Sequence, residues 1–125
     1  MWRTAALTMV FIAVGPAVAQ ARIKAFRSPS GNITCVISTE SGGFAQCELR
    51  TKRLGGGYMV PTSGRVSRYD VASDDDLAGR RFVLGYGKTT RLSVFYCTSR
   101  QGGMTCRNLR THHGFTISRQ RQSVF

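Results

Sequence analysis

Acidic residues are scarce in this chain. Six Asp and Glu stand against eighteen Lys and Arg, a formal net charge of +12 over 125 residues. That balance disfavours cationic partners, which a basic surface repels, and leaves anionic ones. Tryptophan occurs once, at Trp2, and no apolar stretch approaches the ~20 residues needed to span a bilayer as a helix. Helical periodicity is missing beyond a single turn, which excludes a helical bundle. Neither an internal repeat nor a long linker breaks the chain, so one domain is expected.

The N-terminus holds the longest apolar run. Arg3 supplies a positive charge, residues 5–14 are apolar or nearly so, and Gly15-Pro16 precede Ala17-Val18-Ala19, an A-x-A cleavage pattern with a second frame at Ala19-Gln20-Ala21. Residues 1–19 therefore read as a secretory signal peptide, and residues 20–125 as a single exported β domain, secreted or periplasmic. Cleavage after Ala19 leaves 106 residues with seventeen cations against six acids. Fifteen of the original eighteen cations are arginine, whose planar fork suits phosphate and carboxylate better than a lysine ammonium does.

Cys35, Cys47, Cys97 and Cys106 are the four cysteines, and four allow three pairings. In "NITCVIS" Ile33, Cys35 and Ile37 alternate with polar residues, as Ala45, Cys47 and Leu49 do in "FAQCELR"; both are expected to be half-buried strands. Setting Cys35 opposite Cys47 places Ile33 against Leu49 and Ile37 against Ala45, with Glu40-Ser41-Gly42 as the loop. Setting Cys97 opposite Cys106 places Phe95 against Asn108 and Ser99 against Met104, with residues 100–103 as the turn. Apolar facing, turn chemistry and cysteine pairing agree in one register each, so local 35–47 and 97–106 disulfides are expected.

The rest of the chain is punctuated by glycine. Residues 55–57 and 61–64 read as turns, and residues 65–69 as a weak strand. Residues 81–86 and 91–97 read as a third hairpin, and residues 115–118 as a last strand. Ser73, three residues before Asp76, suggests a capping box. The adjacent Asp74, Asp75 and Asp76 lack the alternating ligands and the closing Glu of a calcium loop. The expected fold is all-β: a small antiparallel barrel or sandwich of about seven short strands with two local disulfides.

"FRSPSGNITC", "CEL", "LGYG", "GGMTCRN" and "HGFTISR" resemble, in order and spacing, the signature of a family of small exported bacterial proteins of unknown function. Its members typically have six cysteines, with a central pair flanking a tryptophan-containing segment. Residues 48–96 of this chain hold neither cysteine nor tryptophan. Losing a central pair while keeping the outer four supports the local pairing. The resemblance implies location and architecture and transfers no catalytic residue.

"CRNLRTHHGFTISR" carries both histidines. A nuclease needs a base and an acid converging on one phosphate. In an extended segment His112 and His113 point to opposite faces, and neither Glu40, in a turn, nor Glu48, on the face opposite Cys47, is placed to assist. No catalytic residue is assigned. Cys97, Cys106, His112 and His113 match no zinc-finger spacing, and the thiols are expected to be oxidised, so no metal or cofactor is implied. His113 fits the family signature and is expected to make a structural hydrogen bond beside Gly114, where the chain can bend sharply. "SPSGN" is expected to be a turn, with Pro29 fixing φ and Gly31 admitting a positive one.

The binding candidates are Arg100, Arg107, Arg110, Arg119 and Arg121, with Arg80 and Arg81 adjacent through a shared sheet. Arginine beside Tyr96 or Phe125 is suited to stacking on bases or sugars. The expectation is a non-enzymatic exported module of the envelope or medium. Its partner would be an anionic polymer (envelope polysaccharide, lipopolysaccharide or nucleic acid) or a protein, with the oligomeric state open. The alternatives are a small basic RNase-like phosphodiesterase and an enzyme inhibitor.

Overall fold

A computed structural model describes residues 5–13, 15, 22–50, 56–70 and 81–125. The described residues form eleven strands in two sheets. The first sheet contains β1 (Ile23–Arg27), β2 (Ile33–Ser38), β3 (Phe44–Leu49), β4 (Gly56–Pro61), β5 (Ser67–Asp70) and β6 (Phe82–Val83), in the order β5-β4-β3-β2-β1-β6. The second contains β7 (Thr89–Leu92), β8 (Phe95–Arg100), β9 (Gly103–Asn108), β10 (Gly114–Ile117) and β11 (Gln122–Val124), in the order β11-β10-β9-β8-β7. Among the described residues neither sheet closes on itself, so they form a sandwich and not a barrel. β3 and β4 lie over β9 and β10. No helix among the described residues is long and apolar enough to cross a membrane.

Both cysteine hairpins form in the expected register. Cys35 opposes Cys47 with Ile33 on Leu49 and Ile37 on Ala45. Cys97 opposes Cys106 with Phe95 on Asn108 and Ser99 on Met104. The disulfides are Cys35–Cys47 and Cys97–Cys106, each spanning 4.1 Å at Cα. All four cysteines are buried, and Cys47 Sγ lies 3.5 Å from Cys106 Sγ. The two staples thus meet in the middle of the sandwich, where Phe26, Phe95, Phe115, Ile37, Met104 and Ile117 pack around them. Gly31 takes the positive φ expected of the SPSGN turn, and its N–H donates to Ser28 O at 2.9 Å.

Several expectations are corrected. The strand count is eleven among the described residues and not seven, because four elements carried no clear apolar alternation. Residues 56 and 57 are not turn punctuation but the start of β4. Gly57 opposes Tyr69, and a Cβ at Gly57 would stand 2.5 Å from the Tyr69 ring, so the glycine lets the ring lie across the strand. Residues 81–86 do not form a hairpin with 91–97. Phe82 and Val83 pair with β1 in parallel, the one parallel pairing among the described strands, and the Phe26 and Phe82 rings meet at 5.6 Å. The partner of β8 is instead β7, joined by a tight turn in which Ser93 adopts φ +57°. Leu92 and Phe95 are both buried, three positions apart, and only a turn between them keeps both inward.

β2 is buried on both faces and not on one. It lies inside the sheet, with Thr34 flanked by Arg27 and Glu48, and Val36 by Ala25 and Gln46, on the outer side. β11 follows the strand expected to be last. Among the described residues outside the sandwich, residues 5–13 form no helix or strand and expose Leu7 and Phe11. The cleavage frames around residues 17–21, the Ser73–Asp76 cap, the Asp74–Asp76 run and Arg80 lie outside the described residues.

Two polar side chains, one half-buried and one fully buried, bind the sheets together. Lys24 Nζ donates across the sandwich to Arg91 O at 2.8 Å. Asn108 is fully buried, and its amide is saturated. Nδ2 donates to Pro61 O (2.9 Å) and Thr62 O (3.1 Å), while Oδ1 accepts from the Arg110 and Thr111 N–H groups (2.9 and 3.2 Å).

Candidate functional site

Strand alternation sorts the second sheet into an inner and an outer face. Cys97, Ser99, Met104, Cys106, Phe115 and Ile117 are buried inward. Their neighbours along the strands therefore face out, and the pairing register arranges them in rows. Thr89 opposes Thr98, Thr98 opposes Thr105, Thr105 opposes Thr116, and Thr116 opposes Ser123. One row across all five strands is made wholly of hydroxyl side chains. Thr105 and Thr116 share a hydrogen bond at 2.8 Å.

Arginines flank that row on both sides. The row beyond it in one direction runs Arg91, Tyr96, Arg107, Gly114. In the other direction Arg100 opposes Gly103. Gly103 has φ +132°, and a Cβ there would sit 2.5 Å from Ile117 O, so this position admits only glycine. The result is a recess of ≈ 420 Å³ with Thr89, Thr98 and Thr105 along it and Tyr96, Arg100 and Arg107 around it. From Arg81 to Phe125 the chain contains eight Lys and Arg and no Asp or Glu. No acidic side chain from that stretch of the sequence offsets the arginines.

The five arginines singled out from the sequence divide into three groups. Arg100 and Arg107 lie on the outer face, at the recess. Arg119 and Arg121 belong to the β10–β11 turn, at the end of the sheet where Gly103 meets Ile117 and Ser118. Arg110 sits at the opposite end, and its Nη2 donates to Thr62 O at 3.0 Å. Arg81 precedes β6 at the edge of the first sheet, so the expected adjacency through a shared sheet does not occur. Arg91 went unremarked in the sequence, since its place beside Tyr96 depends on the unexpected β7. Tyr96 lies between two arginines, and Phe125 continues the same row beside Gly114, its N–H and carbonyl paired with that glycine and its ring against the point where a Gly114 Cβ would also meet Arg107 Cα.

The histidines do not form a pair. His112 is exposed with φ +65°, so the bend falls there and not at Gly114, which pairs with Arg107 in β10. His113 Nδ1 lies 3.3 Å from Phe125 O, the structural bond expected of it. The recess beside it, ≈ 320 Å³, is bordered by Arg65, Val66, Val124 and Phe125. Cys35, Cys47 and Cys106 cluster closely enough to suggest metal ligands, but their sulfurs are held in disulfides and offer no thiolate.

The first sheet's outer face is organised differently. Tyr69 donates to Glu48 Oε1 at 3.1 Å. Burial first, and then the Glu48 charge and hydrogen bond, hold the phenol protonated far above its ordinary range. Folding thus raises this pKa, so the contribution of the phenol is intact below the unfolded value of about 10 and is lost as pH rises beyond it. Tyr69→Phe should lower the urea midpoint at pH 8 and flatten its decline between about pH 9.5 and 11 relative to wild type. Equal alkaline slopes for the two proteins would remove Tyr69 as the cause.

Fold and faces define a disulfide-stapled all-β sandwich with one strongly cationic sheet face. The chain belongs to a family of unknown function (DUF6636), which matches residues 54–125 and so includes β4 through β11 and the whole second sheet. No curated protein and no solved structure matches the chain.

Proposed function

We propose that this protein is an exported, non-enzymatic binding module of the cell envelope or medium whose second sheet binds an anionic polymer. The observation that carries the reading is the outer face of that sheet. Arg91, Arg100 and Arg107 surround a hydroxyl row in a stretch of chain, residues 81–125, without a single acidic side chain. Guanidinium forks there gain charge-assisted hydrogen bonds with phosphate, sulfate or carboxylate. Export is supported by the A-x-A pattern after the apolar N-terminal run and by two disulfides, which persist in oxidising compartments.

The hydrolase alternative gains nothing from the histidines, one exposed on a bend and the other bonded to the Phe125 backbone. Titration of the oxidised chain with heparin, lipopolysaccharide and a single-stranded oligonucleotide at rising salt tests the binding. With three arginines engaged, log K for the oligonucleotide should fall against log salt with a slope of about −2. Absence of binding even at low ionic strength would overturn the reading.

A further inference from the structure

The hydroxyl row narrows the class of polymer. We propose that the ligand is an acidic polysaccharide lying across the strands of the second sheet, along Thr89, Thr98, Thr105, Thr116 and Ser123. This rests on the anion-binding reading of the same face and adds to it the chemistry of the chain between the charges.

Three observations support it. The first is the row itself. Neighbouring strands are about 4.8 Å apart, so hydroxyl side chains recur at that interval over roughly 19 Å. A linear glycan repeats on a similar scale, one pyranose ring at a time. Threonine suits exposed strand positions in general, yet that preference does not select one row. The adjacent rows hold Arg91, Tyr96, Arg107 and Gly114 on one side and Arg100 and Gly103 on the other.

The second is hydrogen-bonding capacity. Each hydroxyl both donates and accepts, and the single bond between Thr105 and Thr116 leaves capacity on both. Sugar hydroxyls and ring oxygens need that mixed pattern. A nucleic-acid backbone offers mainly acceptors, which the arginines already serve.

The third is the aromatic content of the face. Single-stranded nucleic acids are held by successive aromatic rings on which bases stack. This face has no such succession: Tyr96 stands between Arg91 and Arg107, enough to cover one sugar, and the Phe125 ring lies at Gly114, separated from Tyr96 by the β9 and β10 positions of the row. The arginines on both sides of the row then take the acidic groups that project from the two edges of the glycan.

The test compares binding of the oxidised full chain to a heparin-derived oligosaccharide, an oligogalacturonate, neutral dextran and a single-stranded oligonucleotide of matched charge. The variants are Thr98→Val/Thr105→Val, which keeps shape and strand preference, and Arg100→Gln/Arg107→Gln. Near-UV circular dichroism and urea midpoints verify the fold. Both acidic glycans should bind more tightly than dextran and than the oligonucleotide. The valine pair should lose about tenfold in glycan affinity and leave oligonucleotide binding within about twofold of wild type, since only hydroxyl contacts are removed. The glutamine pair should weaken both.

Glycan affinity unchanged in the valine pair would overturn the role of the row while leaving the anion site standing. Tighter binding of the oligonucleotide than of either acidic glycan would overturn it in favour of nucleic acid. Failure of wild type to bind any anion would overturn the underlying binding reading and this inference with it.

Discussion

Reduction of the two disulfides is expected to unfold the sandwich under conditions in which the oxidised chain is folded. Cys35–Cys47 and Cys97–Cys106 close loops of sequence separation 12 and 9 that do not overlap. Chain entropy assigns each about 3 kcal/mol, so their joint loss removes about 6 kcal/mol. A small domain has only about 5–15 kcal/mol in total. The position of the bridges adds to the effect. Their sulfurs meet at 3.5 Å in the centre of the core, so replacing any pair by alanine also leaves a void between the sheets. Urea denaturation with and without reductant, with thiols counted under each condition, is the measurement. A midpoint that stays put while four thiols become reactive would show that the core stands without its staples.

Asn108→Ala should cost about 4 kcal/mol, one for each of the four side-chain hydrogen bonds it removes inside the protein. The Pro61 and Thr62 carbonyls belong to the end of β4 and the loop after it, and the Arg110 and Thr111 amides to the loop after β9. Asn108 is therefore the polar joint between the two sheets at that end of the sandwich. Asn108→Asp keeps the two accepted bonds, but turns a carboxylate toward two carbonyl oxygens and loses both donated ones. Both variants should lower the urea midpoint and accelerate amide exchange across residues 61–64 and 108–113. A loss of less than about 1 kcal/mol in Asn108→Ala would mean that water replaces the amide without penalty.

The two cysteine hairpins were legible because three independent requirements converged on one register. Asn108 was legible only as the residue opposite Phe95. Its amide partners lie 46 and 47 positions away in β4 and the following loop, and no local pattern announces them. β4 was obscured because its first residues are glycines whose purpose is to accommodate Tyr69 from the next strand. β7 was hidden by a turn at Ser93 and Val94 that contains neither glycine nor proline. β11 has no buried residue and is a strand only because β10 offers it an edge.

The hydroxyl row was half accessible. Placing Cys97 opposite Cys106 also places Thr98 opposite Thr105. Extending the row to Thr89, Thr116 and Ser123 requires the pairings of β7, β10 and β11, which come from tertiary packing. The charge was visible from composition alone. Its gathering around one face follows from the alternation of β8 and β9, whose inward residues are fixed by the second disulfide.

Charge removal at two places on the molecule separates a built site from a diffuse basic surface. Arg91→Gln/Arg100→Gln/Arg107→Gln and Arg22→Gln/Arg27→Gln/Arg65→Gln each remove three positive charges, the first set from the second sheet and the other from exposed positions in or beside the first. Heparin-oligosaccharide affinity at physiological salt should fall about thirtyfold or more in the first triple variant and less than about threefold in the second. Equal losses in both would show that net charge alone attracts the polymer, and that the face of the second sheet is no site.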